Sequence, residues 1–283
     1  MKVQITTLLT ILTLTTTLSC YGQSYEPMDL AKKIFGKDSL TNIENYVIGE
    51  YKGVPNGQYL SESVTTKFTL LEQTEKAAVV NMTILDSLGS GVDSYLFFEK
   101  NYGWRMSAFR GLAMTGLIEQ VVIELEKMTT EQVDEIVAMS KQKKEDDFSM
   151  FNSREDYDFE LGNAKLIIAL DDNIIKHFVE NQAEFERLKN LALAQLEKEG
   201  ANEKRNVKLI ENSKTEYRKL FISSVSTGGY GLENCIDFLI GGIIDNTVGY
   251  IYVREKKNLP KMNPSRIIMI REIGNGWYMY KTT

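Results

Sequence analysis

Two side chains in this sequence carry the chemistry of nucleophilic catalysis. His177 is the only histidine, and Cys235 is one of two cysteines. A cysteine nucleophile needs a base beside it, and it needs a positive neighbour or a helix N-terminus to stabilise the thiolate. Cys235 instead has Glu233 and Asp237 near it in the sequence. The pattern predicts a helix-flank histidine and a buried, inert thiol, and a Cys/His hydrolase is the alternative.

Three carboxylates alternate at Asp156, Asp158 and Glu160. On a strand, alternate residues share one face, and a row of carboxylate oxygens suits calcium. The surrounding sequence lacks the loop of alternating Asp or Asn with a closing Glu that calcium loops use. We therefore predict a solvated acidic face with no bound metal. Asp156 and Asp158, together with Asp171 and Asp172, form the alternative catalytic set of a hydrolase.

Two short segments have the composition of anion-binding loops. Residues 226–231 are rich in glycine, but they lack the Gly-Lys-Ser/Thr of a phosphate loop and open no evident helix. We predict a hairpin turn there. Residues 256–261 form the only local positive cluster and are predicted to be a solvated loop between strands. Contact of this loop with an acidic partner or a lipid headgroup is the alternative.

The N-terminal segment is typical of an export signal. Residues 1–22 combine one positive charge with a short apolar, Thr-rich stretch and small residues at its end, so the mature chain is predicted to begin near Gln23. Residues 18–20 also resemble a bacterial lipobox, in which Cys20 is lipidated. The sequence predicts a periplasmic or secreted protein that contacts a membrane only if it is lipid-anchored through Cys20.

The amino-acid composition argues against nucleic-acid binding and against stabilisation by a disulfide. The net charge is −6, from 33 basic and 39 acidic residues, and the basic residues are scattered among the acids. This distribution argues against nucleic-acid binding, which needs a concentrated positive surface. Only Cys235 lies outside the signal segment, so after cleavage stability is predicted to come from packing rather than from an intramolecular disulfide.

The pattern of predicted helices and strands indicates an α+β protein. The first unit is predicted over residues 23–115, with a helix that begins at Pro27 and ends at Gly36. An antiparallel meander follows, because short apolar runs alternate with turn residues. Its strands are predicted at residues 46–51, 68–71, 77–84, 95–98 and 104–109.

The second unit is predicted over residues 116–283. Helices are expected at 117–128 and after a capping box at 129–132. A charged run over 141–147 is predicted to be solvated, and residues 166–170 to be a strand. Asp172 is expected to cap one long helix that ends at Gly200. Strands are then predicted at residues 207–210, 217–225, 236–240, 249–254, 267–270 and 277–281.

Both tryptophans follow a glycine at the same point of a predicted hairpin, as Gly103-Trp104 and Gly276-Trp277. Glycine allows the positive φ of a tight turn, and tryptophan then covers the end of a sheet. The repeat predicts two related units, each of helices packed on a curved antiparallel sheet.

A helix followed by a curved antiparallel sheet whose last hairpin carries Gly-Trp resembles the exported domains of the cystatin-like roll, also called the nuclear-transport-factor-two-like fold. The resemblance covers residues 27–114 and, less closely, 172–283. It implies a fold and no function, because that family includes enzymes, ligand carriers and interaction modules.

Taken together, the sequence predicts an exported, non-catalytic binding or interaction protein for an unknown protein or small-molecule ligand, with no cofactor. The abundance of Tyr, Phe and Met fits this prediction, since these residues line pockets as well as cores. The alternatives are an exported hydrolase with a carboxylate or Cys/His site, and a lipid-anchored envelope component.

Overall fold

The computed structural model describes residues 25–37, 40–142, 149–199, 206–229 and 231–283. Within these ranges the chain forms seven α-helices and two antiparallel sheets, which confirms the α+β prediction. The export signal over residues 1–22 with Cys20, most of the charged run over 141–147, and Gly200 lie outside the described residues.

The first sheet is a four-stranded meander covered by the first helix. Helix α1 (Pro27–Ile34) has proline in its first turn and buries Leu30, Ala31 and Ile34. These side chains pack against apolar residues of the sheet such as Met82 and Phe98. The strands are β1 (Thr65–Gln73), β2 (Ala77–Leu85), β3 (Gly91–Lys100) and β4 (Trp104–Gly111), in that order across the sheet.

Six helices follow the first sheet. The predicted capping box is confirmed, since Thr129 accepts from the amide of Gln132 and the Gln132 side chain accepts from the amide of Thr129. The helices are α2 (Thr115–Glu126), α3 (Thr130–Ser140), α4 (Arg154–Ile167), α5 (Asp171–Glu180), α6 (Gln182–Glu199) and α7 (Lys214–Arg218).

The second sheet has five strands and a different order from the first. It consists of β5 (Ser224–Thr227), β6 (Cys235–Ile243), β7 (Asn246–Val253), β8 (Ile267–Gly274) and β9 (Trp277–Thr282), arranged β5-β6-β7-β9-β8. The last hairpin therefore places β9 inside the sheet, next to β7, and leaves β8 at the edge.

The two tryptophans begin their strands as predicted, but their surroundings differ. Trp104 starts the edge strand β4, and its indole Nε1 is buried without a hydrogen-bond partner among the described residues. Trp277 starts the inner strand β9 and donates to Glu186 at 2.7 Å. The left-handed turn glycine occurs at Gly276, with φ +84°, and not at Gly103. The relation between the two units stays a prediction.

The main hydrophobic core joins both sheets. It contains Tyr95 and Phe97 from β3, residues of α4, α5 and α6, and the inner faces of β6, β7 and β9. Aromatic rings dominate its centre, where Trp277 lies 4.9 Å from Phe178 and 5.0 Å from Phe238 between ring centroids. The fold is therefore held by packing shared across the two sheets.

The prediction of a strand over residues 46–51 is wrong. A 3-10 helix occupies Ile43–Tyr46, and the following chain is irregular because Gly49 and Gly53 adopt left-handed φ values of 68° and 89°. The amides of Ile48 and Tyr51 still bind β4, donating to the carbonyls of residues 106 and 107.

The prediction of a strand over residues 166–170 is wrong, and the alternating carboxylates of residues 156–160 lie on a helix rather than on a strand. Ser153 caps α4 by accepting from the amide of Asp156 at 3.0 Å, and the helix then runs to Ile167. On a helix, Asp156 and Glu160 are one turn apart whereas Asp158 points elsewhere, so the three carboxylates share no single face.

The single long helix from Asp172 is also a wrong prediction. The chain forms α5 and α6 with a break at Asn181, whose side chain donates to the carbonyl of His177 at 2.9 Å. Leu170, not Asp172, stands at the N-cap position. The strand predicted over 217–225 is instead α7, a turn with Phe221 at φ +56°, and only then β5. Residues 207–210 contribute an isolated bridge at Lys208 rather than a strand.

Candidate functional site

His177 lies in the last turn of α5 and is half-buried. Its Nε2 lies 3.1 Å from the carbonyl oxygen of Leu220, and since a carbonyl only accepts, Nε2 donates. The imidazole stacks on Phe221 with ring centroids 5.6 Å apart. Burial lowers the pKa of His177, so the ring is neutral near pH 7.

Cys235 begins β6 and is buried on the opposite face of the second sheet. Its neighbours in the core include Ile251, Val253 and Tyr280, whereas the alternate residue Ile236 faces the helices. Burial, with the nearby Asp237 and Glu233 charges, raises the pKa of the Cys235 thiol to about 12. Because α5 packs on the helix-bearing face, the fold does not bring Cys235 and His177 together.

The three alternating carboxylates are dispersed along α4. Asp156 pairs with Arg218 at 2.8 Å, and burial raises the pKa of Glu160. In the ranges that the structure describes, no group of three or more His, Cys, Asp or Glu side chains has the arrangement of a metal site. The carboxylates of α4 therefore serve as ion-pair partners and as the wall of a cavity.

That cavity, which we call the polar cavity, lies between α4 and the α7 segment and has a volume of about 520 Å³. Its floor is aromatic, and the guanidinium of Arg218 lies over the Phe159 ring at 3.7 Å from the centroid. Stacking and the Asp156 ion pair hold Arg218 in place from two directions. The lining residues are Glu155, Asp156, Asp158, Phe159, Lys214, Thr215, Arg218, Lys219 and Phe221.

A second cavity, the apolar cavity, adjoins the first and has a volume of about 530 Å³. It is shallow, opens widely to solvent and contains His177. Its lining residues are Asp158, Leu161, Gly162, Lys165, Leu166, Ala169, His177 and Phe221. Because the two cavities share Asp158 and Phe221, they form one continuous surface along α4, which we call the α4 groove.

Phe221 separates the two halves of the α4 groove, and Gly162 makes its position possible. A Cβ on Gly162 would lie 2.1 Å from the Phe221 ring, so any larger residue would displace that ring. Asn163 fixes the same turn by donating to the carbonyl oxygens of Phe221 at 2.7 Å and Ile240 at 2.6 Å. A strand was predicted over 217–225 in place of this turn, because the turn depends on contacts between residues far apart in sequence.

A buried polar cluster at the start of α5 was also not predicted from the sequence. Asp171 is only 1% exposed, and its carboxylate lies 2.7 Å from the ammonium of Lys281 and accepts from Tyr95 at 2.9 Å. Burial raises the pKa of Asp171, although the Lys281 charge opposes that shift. These groups satisfy one another, so the cluster is a structural joint between β3, α5 and β9.

Asp93 completes this joint from the first sheet. Its Oδ2 accepts from the backbone amide of Asp171 at 2.7 Å, which satisfies a free amide at the first turn of α5. Its Oδ1 accepts from Asn81 at 3.1 Å and from Thr83 at 2.5 Å. Asp172 bridges the same region at the surface, with Lys67 at 2.9 Å and Arg271 at 2.7 Å, and the Lys67 hydrogen bond lowers its pKa.

In both segments with the composition of anion-binding loops, backbone or ammonium groups bind other residues of the protein. The amide of Gly228 donates to the carbonyl of Cys235 at 2.9 Å, and Gly229 accepts from the amide of Leu232 at 3.0 Å. In the positive loop, Lys256 pairs with Glu272 at 3.5 Å and Lys257 with Glu255 at 2.6 Å. In these described residues, the Gly228 amide and the ammonium groups of Lys256 and Lys257 therefore already have partners within the protein.

Comparison of the chain with protein-family models, with curated proteins and with solved structures finds no match. The resemblance to the cystatin-like roll stays a prediction. Among the described helices, none combines the length and apolar character that crossing a membrane requires. The geometry of the α4 groove is therefore the basis for any functional conclusion.

Proposed function

We propose that this is an exported, non-catalytic binding protein whose ligand lies in the α4 groove. The observation that carries the proposal is the pair of adjoining cavities, about 520 Å³ and 530 Å³, that share Phe221. Each volume falls in the range of small-molecule sites, which are mostly apolar with a few polar groups that fix orientation.

The placement of the reactive side chains supports binding rather than catalysis. His177 borders the groove, but its Nε2 is engaged by the Leu220 carbonyl. The Cys235 thiol lies on the other face of the second sheet. The most buried carboxylate, Asp171, is enclosed by Tyr95 and Lys281. A hydrolase would need such groups to converge where a substrate could reach them.

Export is the second part of the proposal and rests on the pattern of residues 1–22. A mature N-terminus at Gln23, measured by mass spectrometry, would support a soluble exported protein. A lipidated Cys20 at the N-terminus would favour the lipid-anchored alternative instead.

The binding proposal is tested with N-phenyl-1-naphthylamine, a neutral aromatic probe whose fluorescence rises in apolar sites. Ala169 lines the apolar cavity, so we expect Ala169→Trp to fill it and to weaken probe binding by about tenfold, or 1.4 kcal/mol. Ala138→Trp is the matched control, because Ala138 is exposed on α3 and lines neither cavity.

Equal probe binding by the unchanged protein and by folded Ala169→Trp would contradict the proposal, as would the absence of probe binding to the unchanged protein. Circular dichroism and the thermal midpoint of both variants establish that they are folded.

A further inference from the structure

The α4 groove carries opposite charges on its two sides. Glu155 and Asp158 belong to α4, whereas Lys214 and Lys219 belong to the α7 segment. Arg218 is already neutralised by Asp156 at 2.8 Å, and Lys165, which lines the apolar cavity, by Glu126 at 2.6 Å. None of the other four forms an ion pair with another residue in the part of the chain that the structure describes, and Asp158 acts on Arg154 only through its longer-range charge.

These charges flank an apolar floor. Phe159 and Phe221 line the polar cavity, and Phe221 continues into the apolar cavity beside Leu161 and His177. A ligand that lies across the floor with an apolar group would therefore place its ends between an acidic side and a basic side. Because the four unpaired charges balance, a ligand with a single charge meets attraction on one side and repulsion on the other.

Resting on the proposed function, we propose that the ligand is a short peptide with free termini and an apolar or aromatic side chain. Its ammonium group lies between Glu155 and Asp158, and its carboxylate lies between Lys214 and Lys219. Its side chain packs on Phe221 and extends into the apolar cavity. Both termini thus find partners of opposite charge within one groove.

The shape of the apolar cavity favours a peptide over a zwitterionic lipid. The cavity is shallow and open to solvent, so a long acyl chain placed there would remain largely hydrated. One aromatic ring, in contrast, gains contact with Phe221 while its outer edge stays at the surface. The combined volume also suits a ligand of two or three residues.

The test is a calorimetric titration of the full mature chain with the dipeptide phenylalanyl-leucine in four forms: free, N-acetylated, C-amidated and blocked at both ends. We expect the free dipeptide to bind up to about fivefold more tightly than either singly blocked form, because one exposed ion pair contributes at most about 1 kcal/mol. The doubly blocked form should bind most weakly.

Two charge-removing variants assign each terminus to its side of the groove. Lys219→Met should abolish the preference for a free carboxylate and retain the preference for a free ammonium group, and Glu155→Gln should do the reverse. Lys208→Met is the control, because Lys208 is exposed and lines neither cavity. It should leave both preferences unchanged.

Equal binding of all four dipeptide forms, or no binding of the free form at millimolar concentration, would overturn the inference. Preferences that survive both Lys219→Met and Glu155→Gln would also overturn it. Tighter binding to phosphatidylcholine vesicles than to the dipeptide would replace the peptide with a lipid. The neutral-probe experiment decides separately whether the groove binds ligands, so the two failures are distinguishable.

Discussion

Among single residues, Asp237 is a buried carboxyl group whose surroundings change its ionisation. It lies on β6, facing the same core cluster as Cys235, and its Oδ1 accepts from the hydroxyl of Tyr280 at 2.8 Å. Burial raises the pKa of Asp237 from 3.8 to about 7, and the hydrogen bond from Tyr280 only partly opposes this shift. The folded protein therefore holds a proton there that the unfolded chain releases.

This proton gives stability a predictable pH dependence. Between pH 4 and 7 the folded state binds more protons at Asp237 than the unfolded state does, so the free energy of unfolding should fall as pH rises, by up to about 1.4 kcal/mol per pH unit. Asp237→Asn keeps an acceptor for Tyr280 and removes the titration. We expect this variant to be more stable than the unchanged protein at pH 8 and close to it at pH 4, measured by urea unfolding.

Asp29→Asn is the control for this prediction, because Asp29 is exposed and pairs only weakly with Lys32 at 3.9 Å. A stability difference between Asp237→Asn and the unchanged protein that does not vary with pH would show that Asp237 is already charged in the folded state.

At the scale of elements, the sequence predicted those structures whose signals are local. The hairpins of both sheets, α1 and the capping box of α3 are specified by residues a few positions apart, and each is confirmed. The regions predicted wrongly depend on distant residues. Phe221 leaves the extended conformation where its ring meets Gly162, and α5 starts at Asp171 because Asp93 on β3 binds its amide.

The candidate site could be predicted from the sequence only in part. His177, Asp156 and Asp158 were singled out by residue type, and all three border the α4 groove. The groove itself was not predicted, because its other wall comes from α7, about 60 residues further along the chain than the α4 residues it faces. Residue type shows what a side chain can do, but only tertiary packing decides which side chains meet.

The role of Asp93 as a distant cap for α5 makes a testable prediction. Asp93→Ala removes the acceptor for the Asp171 amide and for the side chains of Asn81 and Thr83, so we expect a loss of about 3 kcal/mol in stability. Hydrogen exchange should accelerate first in the opening turn of α5, because the Asp171 amide there loses its acceptor.

Thr129→Ala provides the comparison, since it removes a local cap from α3 and should cost about 1 kcal/mol. It should leave exchange in α5 unchanged. If Asp93→Ala destabilises no more than Thr129→Ala and spares the α5 amides, the carboxylate of Asp93 does not cap that helix.

At the scale of the whole molecule, the two sheets are joined by apolar and polar contacts alike. The largest apolar cluster includes residues of both sheets. The ion pair of Asp171 and Lys281 links α5 to β9, and the hydrogen bond from Tyr95 adds β3. At the surface, Arg110 of β4 donates to the carbonyl of Pro264 at 2.6 Å. Separating the sheets would break the buried hydrogen bonds from Tyr95 to the Asp171 carboxylate and from the Asp171 amide to Asp93, which is costly.

The two sheets should therefore unfold together, and the two tryptophans provide a probe in each. The indole N–H signals of Trp104 and Trp277 can be followed in one urea titration by NMR, with Trp104→Phe used only to assign them. Because a shared core gives one cooperative transition, we expect both folded signals to disappear with the same midpoint. Two distinct midpoints would mean that the sheets are independent domains and that the buried Asp171 joint contributes little to holding them together.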